Sequence, residues 1–207
     1  MTFITFEGGE GAGKTTLIEK IKTYLTNKNL QVILTREPGG TVFSEHVRDL
    51  LLEEKKDIKI SSKAELCLFL ASRAQHIKEV INPALKENKI VLCDRFNDSS
   101  IVYQGFARNL GIDEVIKFSS FIVEDFIPCL TLYLDIDPKI GLSRVNTKYD
   151  RIESLGLEFH KKIREGFLLL QEKFPNRIKT IDSSLSKEAI FKKAIEYIDD
   201  ILKKNLS

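Results

Sequence analysis

The octapeptide GGEGAGKT at residues 8–15 constrains the fold more than any other stretch of this sequence. It matches the spacing GxxxxGK[ST], in which glycines let the backbone curl until its amide N–H groups point at phosphate oxygens. The pattern predicts that Lys14 reaches the β and γ phosphates of a bound nucleotide and that Thr15 holds Mg²⁺. An apolar run precedes the motif at residues 2–6, and an amphipathic helix is predicted after it at residues 16–27. This order of strand, loop and helix is typical of a phosphate-binding loop (P-loop).

Apolar runs and helical periodicity alternate along the rest of the chain. Further strands are predicted at residues 31–36, 89–93, 131–137 and 177–182. Helices are predicted at residues 42–52, 63–87 with a bend near Asn82-Pro83, 113–125, 138–144, 157–174 and 187–203. No internal repeat and no linker rich in Pro, Gly or Ser divides the 207 residues. We therefore expect one domain over residues 1–207 with an α/β P-loop NTPase fold, in which helices on both faces doubly wind a five-stranded parallel sheet.

The charge balance limits the partners of this chain. Lysine and arginine number 32 and aspartate and glutamate 30, for a formal charge of +2, which gives no argument for binding nucleic acid or a membrane surface. The cysteines Cys67, Cys93 and Cys129 form no CxxC pair, which favours reduced thiols. No apolar run approaches the roughly 18 residues of a membrane span. We expect a soluble, cytoplasmic protein.

Charged residues follow two of the predicted strands directly. Arg36 and Glu37 end the second strand, and Asp94 and Arg95 end the third. The carboxyl ends of parallel strands form the ligand crevice, so we expect all four beside the P-loop. Asp94 would orient Mg²⁺, and Arg95 can hold a second phosphate through two hydrogen bonds. The alternative for both pairs is an incidental ion pair at a strand end.

Three other segments supply candidate site residues. Phe69 and Arg73 are four residues apart and share a helix face, although the default expectation is a core phenylalanine and a solvated arginine. Residues 97–111 are polar and punctuated by glycine, which suggests a binding segment outside the helices. Residues 145–156 are charged and predict a mobile cover, or lid, over the site, the alternative being an ordinary surface loop.

The cations expected around the P-loop exceed the need of one triphosphate, so a second bound anion is implied. They are Arg36, Arg73, Arg95, Arg144, Lys148 and Arg151. Phosphoryl transfer between two bound phosphates is catalysed mainly by positioning and by such cations. The pattern predicts a kinase for a small phosphorylated acceptor.

Six segments in this order resemble bacterial thymidylate kinases, and they span nearly the whole chain. They are FEGGEGAGKTT, TREPGGT, FLASRAQH, CDRF, DSSIVYQG and DRIESLGLEFHKKIREGF. The resemblance implies transfer of the γ-phosphate of ATP to dTMP, giving dTDP and ADP, with Mg²⁺ and in a homodimer. The ATP-binding residues that it implies are Gly8, Gly9, Glu10, Gly11, Ala12, Gly13, Lys14, Thr15, Thr16 and Arg144. The dTMP-binding residues that it implies are Glu10, Glu37, Arg48, Phe69, Arg73, Arg95, Ser100 and Gln104.

The resemblance also gives these residues roles. Phe69 would stack on thymine and Arg73 would donate to its exocyclic oxygen, with Ser100 and Gln104 completing the base pocket. Arg95 would hold the acceptor phosphate, with Arg48 and Glu37 lining the same pocket. Glu10 would face the 3′-hydroxyl or the metal, and the bond before Pro38 would be cis.

The catalytic cation of this family lies either in the P-loop or in the lid. This P-loop has no basic residue between its end points, so the resemblance implies a lid cation, and Arg151 is the position that matches. The predicted catalytic residues are thus Lys14, Arg95 and Arg151, with Thr15 and Asp94 at the metal. Asn146 stands where relatives often carry arginine, so Arg144 or Lys148 can share that role. Phe96 replaces a common tyrosine, which removes a possible hydroxyl contact near the sugar.

Two alternatives stay open at this point. A P-loop kinase for another acceptor would share the donor half, although Phe69 with Arg73 favours a pyrimidine that carries a carbonyl, because arginine donates and cannot accept. The second alternative is a switch protein driven by GTP or ATP. Against it, residues 146–150 read NTKYD, one residue longer than the guanine-binding NKxD.

Overall fold

The computed structural model describes residues 1–53, 59–145 and 151–206. Within these residues, five parallel strands form one sheet in the order β2-β3-β1-β4-β5. The strands are β1 (Phe3–Gly8), β2 (Val32–Arg36), β3 (Ile90–Asp94), β4 (Leu130–Asp135) and β5 (Ile178–Asp182). This confirms the predicted α/β class and the parallel sheet.

Helices cover both faces of the sheet. The α-helices are α1 (Lys14–Asn27), α2 (Val42–Leu52), α3 (Ser62–His76), α4 (Asn82–Lys86), α5 (Asn97–Ser100), α6 (Ile112–Val123), α7 (Pro138–Ser143), α8 (Leu157–Lys173) and α9 (Lys187–Leu206). The π-helical segments are Ile77–Ile81 and Ile101–Ala107, and a 3₁₀-helix covers Glu153–Leu155. Helix α1 buries Leu17, Ile18, Ile21 and Leu25, the apolar stripe of the predicted helix, so its periodicity is confirmed.

The central strand β1 determines where the site lies. Its six residues are all buried, as expected for a parallel strand covered on both faces. Helices α1 and α9 contribute to the core on one side, while α3, α8 and the segment Ile101–Ala107 contribute to a second cluster. In the register, Phe6 of β1 pairs with Asp94 of β3. The P-loop therefore leaves the sheet next to the end of β3.

Two helical stretches differ from the sequence expectation. Residues 97–107 are helical. The sequence analysis did not predict this because Asp98, Ser100 and Gln104 are polar but buried, and so interrupt the apolar periodicity of the buried face. The helix predicted to bend near Asn82-Pro83 turns π-helical just before that point, where the amide of Asn82 donates to the carbonyl of Ile77.

The predicted lid falls only partly within the described residues. Asn146 and Lys148 lie in 146–150, outside them, whereas Arg151 and the 3₁₀-helix that follows are described. Among the helices described, none is both long enough and apolar enough to cross a bilayer.

Candidate active site

The P-loop curls through two glycines in the left-handed region. Gly11 has φ +67° and Gly13 φ +86°, a conformation that costs glycine little. Lys14 begins α1, and its Nζ donates to the carbonyl oxygens of Gly8 (3.2 Å) and Gly9 (3.3 Å). Burial, helped by the nearby charge of Arg95, lowers the pKa of Lys14 from its ordinary value. An anionic phosphate would relieve both effects, so the ammonium group is arranged for one.

The two residues predicted to hold a metal fit that role. The Oδ1 atom of Asp94 is buried and finds no hydrogen-bond partner among the described residues. The side chain of Thr15 is exposed, and both residues line the same pocket. In the described ranges no three His, Cys, Asp or Glu side chains form a metal cluster. Mg²⁺ needs no such cluster, because it commonly takes one or two protein oxygens together with substrate phosphates and water.

Arg95 lies between the P-loop and the rest of the pocket. Its Nη2 donates to Oε1 of Glu10 (2.7 Å), and its Nη1 donates to the hydroxyls of Tyr103 (3.2 Å) and Ser99 (3.4 Å). Its φ of +67° is uncommon for a residue with a side chain. Its amide donates to the carbonyl of Phe6 (2.9 Å), which helps to hold this conformation. Such strain is often found at functional sites.

Glu7 is a site residue that the sequence analysis missed. Its Oε1 accepts from the amides of Phe96 (2.9 Å) and Ser99 (3.2 Å), and its Oε2 accepts from the Ser99 hydroxyl (2.6 Å). Burial raises the pKa of Glu7 from 4.5 to about 7, although the charge of Arg95 opposes the rise. The carboxyl group thus fixes the backbone on the C-terminal side of Arg95. A glutamate inside an apolar strand was the available signal.

Arg73 is buried, so the default expectation of a solvated side chain was wrong. Its Nε donates to Oε2 of Glu37 (2.8 Å) and its Nη1 to Oδ1 of Asn97 (3.1 Å). Its Nη2 donates to the Phe96 carbonyl and the Ser100 hydroxyl, both at 3.1 Å. These contacts use four of the five donors of a guanidinium group. Among the described residues, one N–H on Nη1 has no partner and is available to a ligand.

His76 holds the other oxygen of Glu37. Its Nδ1 lies 2.9 Å from Oε1 of Glu37, and its Nε2 lies 2.6 Å from the hydroxyl of Thr35. The sequence analysis did not single out His76, yet His76 orients the carboxylate that orients Arg73. The Glu37-Pro38 bond is cis, as the resemblance implied. The carbonyl of Pro38 accepts from Nη1 of Arg48 (2.8 Å).

One pocket of about 900 Å³ connects these groups. The predicted residues that line it are Glu10, Gly11, Ala12, Gly13, Lys14, Thr15, Thr16, Glu37, Arg48, Phe69, Arg73, Asp94, Arg95, Ser100, Gln104 and Arg144. Gly8 and Gly9 lie behind this lining, where their carbonyls hold Lys14. The P-loop and the predicted base pocket therefore open into one cavity, with Arg95 in the same wall.

Arg151, a predicted catalytic residue, does not line this pocket in this conformation. Its Nε donates to the Leu51 carbonyl (2.7 Å) and its Nη2 to Oε2 of Glu65 (2.6 Å). Arg144, in contrast, lies at the P-loop, where its Nη1 is 3.4 Å from the carbonyls of Gly11 and Ser183. Arg144 lines the pocket beside the P-loop, whereas Arg151 is not among the residues that line it.

The end of the pocket next to the P-loop, called the donor end below, also contains residues that the sequence analysis missed. They are Lys20, Ser183, Leu185, Ser186, Lys187 and Ile190. Most belong to the turn after β5 and the start of α9, and the Ser183 hydroxyl donates to the carbonyl of Ala12 (2.5 Å). The signal was positional, since β5 ends at the same edge of the sheet as β1 and β3.

The fold and the pocket define a P-loop nucleotide-binding protein with room for a second anion beside its phosphate loop. The family model described as "Thymidylate kinase" matches residues 6–194. A thymidylate kinase of Protochlamydia amoebophila is 48% identical, over 96% of this chain and 92% of the relative. One of Clostridium novyi is 47% identical, over 91% of this chain and 94% of the relative. The crystal structure of a thymidylate kinase from Ehrlichia chaffeensis superposes with a TM-score of 0.78 at 33% identity, over 96% and 98% of the two chains.

This chain belongs to the thymidylate kinase family. The P-loop NTPase fold expected from the sequence is confirmed by the solved relative. Neither a kinase for another acceptor nor a switch protein is favoured by these matches.

Proposed function

We propose that this protein transfers the γ-phosphoryl group of ATP to dTMP, giving dTDP and ADP. The observation that carries the proposal is the shared cavity, which has the P-loop at one end and Phe69, Arg73 and Gln104 at the other. Arg95 lines the same cavity, with its guanidinium 2.7 Å from Glu10 of the P-loop. Two nucleotides bound there would meet phosphate to phosphate.

The acceptor end has the chemistry to bind thymine. The half-buried ring of Phe69 lines the pocket and offers a stacking surface. The remaining N–H of Arg73 can donate to the exocyclic O4, which cytosine replaces with an amino group. We assign Ser100 and Gln104 to the rest of the base pocket, and Arg48 and Glu37 to its wall.

Transfer would rely on cations positioned around the migrating phosphoryl group. We assign Lys14 to the donor phosphates and Arg95 to the acceptor phosphate. The acceptor phosphate would replace Glu10 as the partner of Arg95. We assign Arg151 as the lid cation, which requires it to leave Glu65 and Leu51. A closed lid would also exclude water and so favour transfer over hydrolysis.

Thr15 and Asp94 would hold Mg²⁺, as the unpaired Oδ1 of Asp94 supports. When bound, the ion would neutralise phosphate charge. The protein's own contribution is to direct these two oxygens and the Lys14 ammonium into one end of the cavity.

We also propose a homodimer, formed through the face of α2, α3 and α6. Helix α3 packs against both of the others. Its outer side presents the small residues Ala64, Cys67 and Ala71, and α6 exposes Phe118 and Phe121. An apolar face of this kind is typical of an interface between subunits. We further propose that the enzyme acts in the cytoplasm, where its thiols would stay reduced.

Coupled measurement of ADP release, with ATP and a panel of dTMP, dUMP, dCMP, dGMP and AMP, tests the proposed function. We expect turnover with dTMP to exceed turnover with dCMP, dGMP and AMP by at least about 100-fold in kcat/KM, since pairing of buried donors and acceptors discriminates strongly. Equal turnover with a purine nucleotide would contradict the proposal.

A further inference from the structure

Glu65 lies on the same face of helix α3 as Phe69 and Arg73. Glu65 lies four residues before Phe69, and residues four apart share a helix face. Glu65 is 1% exposed as a whole, so its carboxylate is buried. A buried carboxylate next to a ligand pocket needs partners, and the identity of those partners determines what it does.

The carboxylate of Glu65 forms hydrogen bonds both to Gln104, in the pocket proposed for the nucleobase, and to Arg151 of the predicted lid. Its Oε1 accepts from Nε2 of Gln104 (3.0 Å) and from Nε of Arg108 (3.3 Å). Its Oε2 accepts from Nη2 of Arg151 (2.6 Å) and Nη2 of Arg108 (3.2 Å). Two arginines therefore compensate one buried negative charge, and the only neutral partner in this group is the side-chain amide of Gln104.

These contacts keep Glu65 ionised. Burial acts to raise the pKa of Glu65, but the hydrogen bonds from Gln104 and Arg151 and the charge of Arg108 outweigh it, and the pKa is lowered. An ionised carboxylate can only accept hydrogen bonds. The orientation of a glutamine amide follows from its hydrogen-bond network, so Gln104 must turn its NH₂ group toward Glu65.

We propose that Glu65 is a positioning residue for base selection, which fixes the amide of Gln104 so that its carbonyl oxygen faces the acceptor base. The proposal rests on the proposed function, because it assigns a cause to thymine preference at that same site. Gln104 borders the pocket and Glu65 does not. Glu65 therefore acts through Gln104 and makes no contact with the nucleotide.

The fixed carbonyl discriminates between pyrimidines by their hydrogen-bonding edges. Thymine and uracil carry a donor at N3, which a carbonyl oxygen accepts. Cytosine carries an acceptor at N3, which would meet the carbonyl with two lone pairs opposed and no hydrogen between them. Leaving such buried groups unpaired is what makes a site of this kind selective. Arg73 reads the 4-position, so Glu65 and Arg73 govern two different atoms of the same edge.

The test replaces Glu65 by glutamine, which keeps its size but can both donate and accept. In Glu65→Gln the amide of Gln104 can turn over, so its NH₂ group can face cytosine N3. We expect kcat/KM for dTMP and dUMP to fall in parallel by about tenfold, mainly through KM, while dCMP is unaffected or improves. If dCMP turnover is too slow to measure, its inhibition constant against dTMP gives the same comparison. Glu158→Gln makes the same chemical change at an exposed ion pair on α8 and is the matched control.

A double-mutant cycle separates positioning from loss of packing. In a Gln104→Leu background there is no amide to orient, so Glu65→Gln should no longer alter the ratio of dTMP to dCMP. Glu65→Asp keeps an acceptor-only group, and it should raise KM while retaining the ratio. Calorimetric binding of the same nucleotides gives a second measurement of the ratio, independent of turnover.

Two outcomes overturn the inference. One is an unchanged ratio of dTMP to dCMP in Glu65→Gln while the wild type prefers dTMP. The other is an equal effect of Glu65→Gln with and without Gln104. A wild-type protein with no preference for dTMP would instead contradict the proposed function, and the two failures are therefore distinguishable.

Discussion

The two ends of the pocket are lined by different kinds of chemical group. At the donor end, backbone and short side chains dominate: Gly11 and Gly13 shape the loop, and the side chains of Thr15 and Thr16 are exposed. At the acceptor end, charged side chains from separate segments are buried against one another. Glu37 there accepts from both Arg73 and His76. The phosphate loop at the donor end is thus a local structure, although the turn after β5 joins that end only on folding. The acceptor end as a whole exists only once the chain has folded.

The difference fits the ligands that we propose for the two ends. A triphosphate offers oxygens on every side, so main-chain amides and the positive end of α1 suffice to hold it. A pyrimidine differs from its competitors by one donor or acceptor, and selecting it requires groups that cannot reorient. Mutations at the donor end should therefore change the rate, and mutations at the acceptor end should change selectivity.

The largest expected effect is at the donor end. Lys14→Ala should lower kcat by about 1,000-fold, because it removes a preorganised cation from the migrating charge. The measurement is steady-state kinetics with dTMP, accompanied by a melting curve to show that the fold is retained. Lys22→Ala, an exposed position on the same helix, is the control. Turnover like that of the wild type would remove the P-loop assignment.

A variant of Arg151 tests whether the lid affects the rate, as expected for the donor end, or the binding of dTMP, as expected for the acceptor end. As the catalytic cation, Arg151→Ala should lower kcat by about 100-fold or more with little change in the KM for dTMP. As a partner of Glu65 alone, it should raise KM and leave kcat nearly intact. Arg108→Ala is the comparison, because Arg108 also binds Glu65 but has no proposed catalytic role. If Arg151 acts only through Glu65, the two variants should change KM and kcat in the same way.

Arg73→Gln should act on selectivity. Losing the donor to O4 should reduce the preference for dTMP over dCMP by about tenfold, while dTMP and dUMP stay in proportion. The variant also leaves Glu37 buried with one partner fewer, which should lower the melting temperature. Unchanged discrimination would mean that the base is selected elsewhere in the pocket.

A separate expected effect, on stability and not on turnover, concerns Glu7 and pH. Its pKa is about 7 in the fold and 4.5 in the unfolded chain, so the folded state binds more protons between these values. The contribution of Glu7 is therefore fully present below pH 4.5, and it is lost as pH rises through 7. The loss is at most about 3 kcal/mol. Glu7→Gln should flatten the fall in stability between pH 5 and 8, measured by denaturant unfolding; an unchanged slope would contradict the raised pKa.

The same contrast explains what the sequence revealed. The P-loop, the parallel sheet and the strand-end pair Asp94 and Arg95 follow from spacing and periodicity, which are local properties. The burial of Arg73 does not, because its partners Glu37, Asn97 and Ser100 come from other segments. A second anion was predicted from the excess of cations, but the base-binding roles of Phe69, Arg73, Ser100 and Gln104 were predicted only through family resemblance.

Several of the missed residues act through a neighbouring group. Glu7 and His76 each orient a neighbouring group, and we propose the same for Glu65. Apart from the position of Glu7 inside an apolar strand, the sequence analysis used no pattern that pointed to these roles. The helix over residues 97–107 was missed for a related reason, since its buried polar side chains satisfy tertiary hydrogen bonds instead of facing solvent.

The central claim is that donor and acceptor occupy one cavity, end to end. A compound in which adenosine and deoxythymidine are joined by a chain of phosphates tests it most directly, by calorimetric titration. We predict that one molecule of the compound binds per chain, and that protein saturated with it no longer binds either ATP or dTMP. Undiminished binding of dTMP to the saturated protein would contradict the account.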